Sequence, residues 1–507
     1  MSASERERRE AKKAERQERK SAALAEQEKK ARSYRTKVWI IIAVAVVLIV
    51  AALFINSNFF YTKTTAMTVG TTKYSPAEVT YFYRNTYNTI YQNISSQFGN
   101  MASMLIDNSK PLSEQPYPYD AEGSKTWADA IAETAQDDII RITAFADAAT
   151  KAGRTLSEED ETSISQTLDS YRTFATSYGY SNVNKFLAAY FGKGMNLKTV
   201  EKLQRRIVLS SNYYNEVMDS FSYTDDELSA YYSEHADDMD YYNYYVYTFY
   251  PSMDQFSEVK EDEKAAKVHA AAQAVIDATT DADSFVAAVH AVAGEDVDVN
   301  MSNSRKEALS INYDEWITDP ARQPGDTAVL DVSDNSYAIY FVGRDNNNYH
   351  TVDFRHILVS AEADENGEYT EEALAAAEEK AQEIYAQWKE NPTEDNFAAL
   401  ANEVSDDTGS NTAGGLYERV AKNTMVPAIN SFLFDEGHAA GDSAVVNVVS
   451  GNYAGTHVVY YVGENDLYCN ILADDAKRAE DFEAKSAELE TGYEVKEGFG
   501  MRFVDDL

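Results

Sequence analysis

Two stretches decide the fold of this sequence: DFRHILVS at residues 353–360 and GTHVVYYV at residues 455–462. Both are rich in β-branched and aromatic residues, which favour strands. Between them, residues 371–389 and 396–404 consist largely of Ala, Glu, Leu and Gln, which favour helices. The order predicts a β-α-α-β unit whose first and last strands each carry a histidine.

A second copy of this pattern lies earlier in the chain. YAIYFVGRDNN at residues 337–347 matches HVVYYVGENDL at residues 457–467, and each copy has a Gly-Asp pair ahead of its closing strand. These pairs are Gly325-Asp326 and Gly441-Asp442. Such self-similarity predicts a tandem pair of units of about 110 residues each. We assign them to residues 241–348 and 349–466.

Composition excludes several functional classes. The 507 residues carry 84 Asp and Glu against 45 Lys and Arg, a net charge of −39, which would repel a nucleic-acid backbone. The single cysteine excludes an internal disulfide and a multi-cysteine zinc site. No H-x-x-x-H, H-E-x-x-H, nucleotide-binding loop or G-x-S-x-G motif is present. We therefore expect no nucleic-acid partner, no metal and no cofactor.

The amino terminus differs from the rest of the chain in charge. Residues 1–37 contain 13 basic and 7 acidic residues, and residues 38–55 are 18 uncharged, mostly apolar residues. This arrangement predicts a transmembrane helix over 38–55, with the basic segment in the cytoplasm and the bulk of the chain outside the cell membrane. A cleaved signal peptide is less consistent with it, because such peptides have a shorter apolar region.

The region between this segment and the repeats is predicted to be mainly helical. A capping box, Ser75 to Glu78, begins one helix, and Thr155–Glu158 and Thr224–Glu227 have the same pattern. We assign residues 60–240 to one helical domain and residues 467–507 to a C-terminal helix and tail. The predicted fold class is α+β, with the helical domain followed by the two repeats.

The second repeat resembles the parvulin family of peptidyl-prolyl isomerases. Its matching residues are Arg355-His356-Ile357-Leu358-Val359, Ser405-Asp406-Asp407, Gly414-Gly415, Met425, Phe434 and His457. The layout, with helices ahead of parvulin units, is similar to that of the SurA/PrsA-type extracytoplasmic foldases. The resemblance implies an isomerase of X-Pro bonds that binds newly exported, unfolded polypeptides and has chaperone activity.

The resemblance also implies roles for single residues. His356 and His457 would be the paired histidines of the pocket floor, and Asp407 would lie next to the carbonyl that rotates. Met425, Ile429 and Phe434 would form the apolar walls that hold proline. Each residue also has a purely structural interpretation, as a buried histidine pair, a turn carboxylate or core.

Departures from the family pattern leave an alternative open. Leu416-Tyr417-Glu418 follows the glycine pair where many relatives have Asp-Leu-Gly, and Ile429 stands where a pocket phenylalanine is common. The usual Ser or Thr is also replaced near residues 452–454. The altered glycine loop and Ile429 indicate reduced or altered activity. A non-catalytic holdase or assembly scaffold that binds extended segments is therefore the second hypothesis.

Comparison with the parvulin pattern predicts that the first repeat has no catalytic activity and that phosphorylated peptides are not substrates. We expect the first repeat to be non-catalytic, with Thr248 opposite His356 and Tyr337 opposite His457. The acidic loop at residues 361–368 argues against phosphopeptides as substrates.

Overall fold

The computed structural model describes residues 3–55, 58–365, 367–435, 437–450 and 453–505. The helices in chain order are α1 (Ala3–Ile55), α2 (Phe59–Lys63), α3 (Pro76–Phe98), α4 (Ala102–Leu105), α5 (Trp127–Lys151), α6 (Glu158–Ser177), α7 (Val183–Phe191), α8 (Leu197–Ser220), α9 (Asp225–Glu234), α10 (Ala236–Met239), α11 (Glu261–Ala278), α12 (Ala282–Ala293), α13 (Asp314–Ile317), α14 (Glu371–Lys389), α15 (Glu394–Val404), α16 (Pro427–Phe434) and α17 (Tyr468–Glu490). The strands are β1 (Met67–Val69), β2 (Thr72–Tyr74), β3 (Tyr241–Phe249), β4 (Ser302–Ser304), β5 (Thr327–Val332), β6 (Asn335–Asp345), β7 (His350–Ser360), β8 (Leu416–Val420), β9 (Ser443–Ser450), β10 (Tyr453–Leu467) and β11 (Val495–Glu497).

The predicted N-terminal transmembrane helix is wrong. Helix α1 runs without a break from Ala3 to Ile55, joining the basic segment to the apolar run. Within the described part of the chain, no helix combines the length and the apolar character needed to cross a bilayer. The run of 18 apolar residues lies at the lower end of the about 17–25 residues that a spanning helix needs, so the sequence pattern was marginal for this prediction. The predicted membrane anchorage is withdrawn with it.

The chain forms two compact units, of which the first extends to Ser220 and resumes at Phe482. Its helix α3 begins at the predicted capping box, where the Ser75 hydroxyl accepts from the Glu78 amide. Helix α6 also begins with a capping box, formed by Ser157 and Asp160 and not by the predicted pair two residues earlier. The apolar faces of α3, α5, α6, α7 and α8 together enclose one core.

The C-terminal segment belongs to this first unit. Strand β11 pairs antiparallel with β1, which pairs with β2 on its other edge, so the chain end completes a three-stranded sheet. The Phe482 ring packs against Phe145 and Tyr214, with centroids 5.9 and 4.4 Å away. A Cβ on Gly498 would lie 2.4 Å from the Thr65 carbonyl oxygen, so only glycine allows the backbones to approach this closely here.

The second unit, Phe221–Asp481, contains two four-stranded antiparallel sheets of matching topology. The first repeat has the strand order β4-β3-β6-β5 and the second has β8-β7-β10-β9. The Gly-Asp pairs make the same hydrogen bonds in both. Gly325 and Asp326 bond the backbone of Phe341, and Gly441 and Asp442 bond the backbone of Tyr461, all at 2.8–2.9 Å. The repeat seen in sequence is therefore a repeat of backbone structure.

The two faces of the second sheet are buried differently, because side chains alternate along a strand. Ile357 and Val458 are fully buried against the face covered by α14 and α15. The opposite face carries an apolar cluster that includes α16, with Phe354 and Val459 inside it. His356 and His457 have the parity of this second face.

Trp388 is the largest buried side chain in the core beneath α14. It is 1% exposed, its indole N–H donates to the Thr393 carbonyl at 2.9 Å, and its ring meets Phe397 and Tyr460 edge-on at 5.6 Å. This core supports the strand face opposite the histidines.

We expect Trp388→Ala to lower the free energy of unfolding by about 3–5 kcal/mol, through lost burial and a residual cavity. The measurement is urea denaturation of the full chain followed by far-UV circular dichroism. Trp39→Ala is the matched control, because Trp39 is 70% exposed, and should change the free energy by less than about 0.5 kcal/mol. Equal effects of the two substitutions would contradict the assigned core.

Candidate functional site

The pairing of β7 with β10 brings the two predicted histidines together. His356 lies opposite Val459 and His457 opposite Leu358, so the imidazoles are diagonal neighbours on one face. Their rings are near-parallel with centroids 5.1 Å apart, and the two Nδ1 atoms are 2.9 Å apart. The two residues are 7% and 4% exposed. The pair is a buried hydrogen-bonded unit, as the resemblance implied.

The loop after α15 is hydrogen-bonded along the part of β7 that does not pair with β8. The Ser405 hydroxyl accepts from the Leu358 amide at 3.1 Å, and the Asp406 carboxylate accepts from the Ser360 amide at 2.9 Å. Both residues therefore use their side chains to hold backbone, which aims the next residue, Asp407, at His356. Asp407 Oδ2 is 2.8 Å from His356 Nε2. The three adjacent polar residues thus have different tasks.

Asp407 is held in its ionised form. Burial alone would raise its pKa, but donors outweigh that effect: the Ser410 hydroxyl, His356, the Gly409 amide and the Tyr417 hydroxyl. The net result is a pKa well below that of an ordinary aspartate. A carboxylate that is fully ionised can only accept hydrogen bonds.

The ionised carboxylate dictates where the protons of both imidazoles lie. Burial lowers the pKa of His356, and burial together with the neighbouring imidazole lowers that of His457 to about 4, so both rings are neutral at pH 7. His356 must donate from Nε2 to Asp407, which leaves its Nδ1 as an acceptor. His457 must then donate from Nδ1, which leaves its Nε2 as an acceptor.

Tyr453 completes this chain of hydrogen bonds. Its hydroxyl lies on His457 Nε2, and because burial raises the pKa of Tyr453 the group stays protonated and donates. The residues are four apart on one strand, so their side chains share a face. The order of donation is therefore Tyr453 to His457 to His356 to Asp407, in one direction.

Two hydroxyl groups of the site lie in the segments whose sequence departs from the parvulin pattern. Tyr417, in the altered segment after the glycine pair, donates to Asp407 at 3.0 Å and meets the His356 ring edge-on at 5.3 Å. Tyr453 lies in the second altered segment, near residues 452–454. From the sequence, both segments were interpreted as departures that reduce or alter activity, and Ser410 was not identified. The sequence offered one signal for them: Ser410, Tyr417 and Tyr453 each carry a hydroxyl group that can donate a hydrogen bond.

The glycine pair allows this close packing. Gly415 has φ +69°, and a Cβ there would lie 2.1 Å from the His356 carbonyl oxygen. The His356 amide in turn donates to the Gly415 carbonyl at 2.9 Å. Gly414 also has φ +69°, and a Cβ there would meet Ala398 at 2.6 Å. Both the left-handed backbone and the space require glycine.

The three predicted pocket residues lie in the apolar cluster on the histidine face. Ile429 is 2% exposed and belongs to the interior of that cluster. Met425 and Phe434 are half-buried, and the Phe434 ring meets Tyr349 edge-on at 6.1 Å. Their role in holding a substrate remains a prediction.

The first repeat lacks the histidine unit. Tyr337 corresponds to His457, as predicted, but the strand register puts Val246, and not Thr248, at the position of His356. Ring contacts of Tyr313 with Tyr244 at 5.7 Å and with Tyr337 at 5.8 Å fill this face. An aromatic cluster occupies the place that the second repeat uses for its polar chain.

The site has the chemistry of a binding and polarising surface. It combines one partly buried negative charge, two neutral imidazoles and two protonated phenols next to an apolar cluster. No group of metal-ligating side chains was found among the residues that the structure describes. The chain's cysteine, Cys469, is buried in a different cluster that includes α9 residues, so it supplies no nucleophile here.

We predict that the direction of the hydrogen-bonded chain is observable by two-bond ¹H–¹⁵N NMR. At pH 7, His457 should carry its proton on Nδ1 and His356 on Nε2, and His457 should titrate with a pKa of about 4. Substitution of each histidine by Gln assigns the signals. Asp407→Asn, whose amide can also donate, should remove the constraint on the tautomers. A wild-type His457 protonated on Nε2 would refute the assigned order.

The same pKa shift has a consequence for stability. The unfolded histidine has a pKa of about 6.5, so between that pH and about 4 the unfolded chain binds the proton that the folded chain excludes. Stability contributed by neutral His457 should therefore be lost as the pH falls through this window. His457→Gln should flatten that part of a plot of unfolding free energy against pH.

Comparison with known proteins gives a match for the repeat that holds the site. No curated protein matches the sequence. Among solved structures, PrsA from Bacillus anthracis is 21% identical over 29% of this chain and 60% of that chain, with a TM-score of 0.19. PrsA from Bacillus subtilis is 14% identical over 59% of this chain and 82% of that chain (TM-score 0.20). A chain from the Campylobacter jejuni SurA-like chaperones PEB4 and Cj1289 is 15% identical over 62% and 94% (TM-score 0.17).

Likenesses this distant carry no conclusion about the present chain. The family model gives a conclusion for one repeat, because residues 356–461 match Rotamase, the PPIC-type PPIASE domain. The matched segment begins at His356 and includes Asp407 and His457. This segment is therefore a peptidyl-prolyl isomerase domain of the parvulin type, the family that the sequence predicted.

Proposed function

We propose that this protein is a foldase: it isomerises X-Pro bonds in unfolded, exported polypeptides and protects those polypeptides as a chaperone. The observation that carries the proposal is the unidirectional chain from Tyr453 to Asp407. Such a chain fixes a negative charge and its neutral supports at the edge of an apolar surface. That arrangement is suited to favouring a twisted amide over a planar one.

The reaction needs no bond to break. Rotation about the peptide bond is opposed by resonance that places negative charge on the carbonyl oxygen, with a barrier of about 18–20 kcal/mol. Twisting removes that resonance, so the twisted amide is less polar than the planar one. A site that is apolar and presents a carboxylate to the carbonyl disfavours the planar state relative to the twisted one. We assign that carboxylate to Asp407.

The remaining residues act on Asp407 or on proline. We propose that His356 and His457 hold the carboxylate in position and, being neutral, leave its charge uncompensated. Tyr417 faces the same carboxylate and borders the site. Met425 and Phe434 would supply half-buried apolar surface for the proline ring, with Ile429 supporting it from within the cluster.

The other parts of the chain would serve the client polypeptide. The helical first unit would bind unfolded segments, and the first repeat would bind loosely or act as a spacer without catalysis. The layout of helices ahead of parvulin units supports an extracytoplasmic location, since it resembles that of SurA/PrsA-type foldases. Clients would be polypeptides that have just been exported and contain proline.

The kinetic prediction concerns kcat/KM for a proline-containing peptide in a protease-free assay. His356→Ala should lower it about tenfold or more, because an ionised carboxylate loses a charged hydrogen bond. Tyr453→Phe should lower kcat about threefold to tenfold without changing KM, since it removes one neutral hydrogen bond beyond the substrate. His269→Ala, a half-exposed histidine of the first repeat, is the matched control and should have no effect. An unchanged kcat/KM in His356→Ala would contradict the proposed mechanism.

A second experiment separates catalysis from chaperone activity. The full chain should accelerate a proline-limited refolding reaction, and the double variant His356→Ala/His457→Phe should not, which also tests whether the first repeat is inactive. Both proteins should suppress aggregation of an unfolded client equally. Suppression without any acceleration by the wild type would favour the holdase. Loss of all protection in the double variant would show that client binding depends on the histidine site.

A further inference from the structure

A second concave site, of about 660 Å³, opens on the first unit between α3, α6 and α7. Seven of its eight lining residues are aromatic, and the eighth is Asn85. None of them is charged at neutral pH. Its volume falls within the range of roughly 300–1,000 Å³ that is typical of ligand pockets. Nothing in the isomerase chemistry uses this surface, which we call the aromatic pocket.

Phe186 organises the aromatic pocket. It is 6% exposed, and the rings of Tyr178 and Tyr190 lie nearly parallel to it, at 3° and 17°, with centroids 6.1 and 5.8 Å away. Tyr180 meets the same ring edge-on at 5.5 Å. Tyr178 and Tyr190 themselves are 71% and 50% exposed. The result is an aromatic wall with large apolar area still in water, a property of binding surfaces.

The polar atoms of the pocket are mainly phenolic hydroxyls. The hydroxyls of Tyr171, Tyr178, Tyr180 and Tyr190 form no hydrogen bond with any other residue in the described part of the chain. Burial raises the pKa of Tyr171 to about 12, so this group keeps its proton. The wall therefore presents O–H donors between flat apolar rings, without any charge.

These features specify the occupant. A charged side chain would lose hydration against a wall that offers no counter-charge. A polyproline II segment fits instead, because its proline residues have no N–H, its carbonyls point outward and need only donors, and its rings stack on aromatic side chains. We propose that the aromatic pocket binds proline-containing polyproline II segments of unfolded polypeptides.

The inference rests on the proposed function in one respect: it makes proline the feature that the chain recognises twice. The isomerase domain acts on the X-Pro bond, and the aromatic pocket holds neighbouring proline-rich sequence of the same class of client. Binding at the pocket is a separate property from catalysis, and it can be measured separately.

The test uses the full chain and a fluorescein-labelled peptide of repeated Ala-Pro-Pro, with affinity measured by fluorescence anisotropy. Tyr178→Ala/Tyr190→Ala should weaken binding about tenfold, since two ring contacts are lost. Tyr119→Ala is the matched control, because Tyr119 is 63% exposed in the same unit and outside the pocket, and should bind like the wild type. An all-Ala peptide and one of repeated Ala-Phe-Ala complete the set. Binding of either as tightly as the proline peptide would overturn the proposal.

The site of binding distinguishes this inference from the proposed function. The isomerase-domain variant His356→Ala/His457→Phe should bind the Ala-Pro-Pro peptide with unchanged affinity. If affinity falls in that variant and not in the tyrosine variant, the isomerase domain is the proline site and the aromatic-pocket proposal is wrong. If the wild type binds through the tyrosines but fails to catalyse isomerisation, only the proposed function is contradicted.

Discussion

The antiparallel pairing of β7 with β10 is the constraint on which the second repeat depends. The two strands are about a hundred residues apart in sequence, and their register sets His356 beside His457 while Ile357 and Val458 turn to the opposite face. Because side chains alternate, a slip of one residue would exchange the imidazoles with the apolar core. The same pairing therefore fixes both the stability of the sheet and the geometry of the polar chain.

Asp407 sets the direction of the hydrogen bonds that run from Tyr453 through His457 and His356. Hydrogen bonds keep its pKa low despite burial, and an acceptor-only carboxylate determines the tautomer of each imidazole in turn. The phenols at positions 417 and 453 follow from the same electrostatics, because an ionised carboxylate and an acceptor nitrogen both need a donor. A departure from the family pattern in sequence can therefore preserve the interaction in space.

The first repeat shows what the fold retains when the hydrogen-bonded series of side chains is absent. Its sheet order and the backbone hydrogen bonds of its Gly-Asp pair are the same as in the second repeat. Its corresponding face carries Val246 and tyrosines that contact one another. The scaffold is stabilised by backbone pairing and by the apolar face under the helices, and neither needs the polar side chains of the site.

The sequence by itself determined the repeat, the main strands and helices, and the family, because alternation, helix-forming composition and the motif order are local properties. It also identified His356, Asp407 and His457 as neighbours through the resemblance. It misjudged residues 38–55, because no helix in the described part of the chain combines the length and apolar character that a bilayer requires. Only the tertiary structure decided the proton order, the separate tasks of Ser405, Asp406 and Asp407, and the hydroxyls of Tyr417 and Tyr453. These depend on distances between segments far apart in the chain, and on burial, which sets each pKa and has no local signature in the sequence.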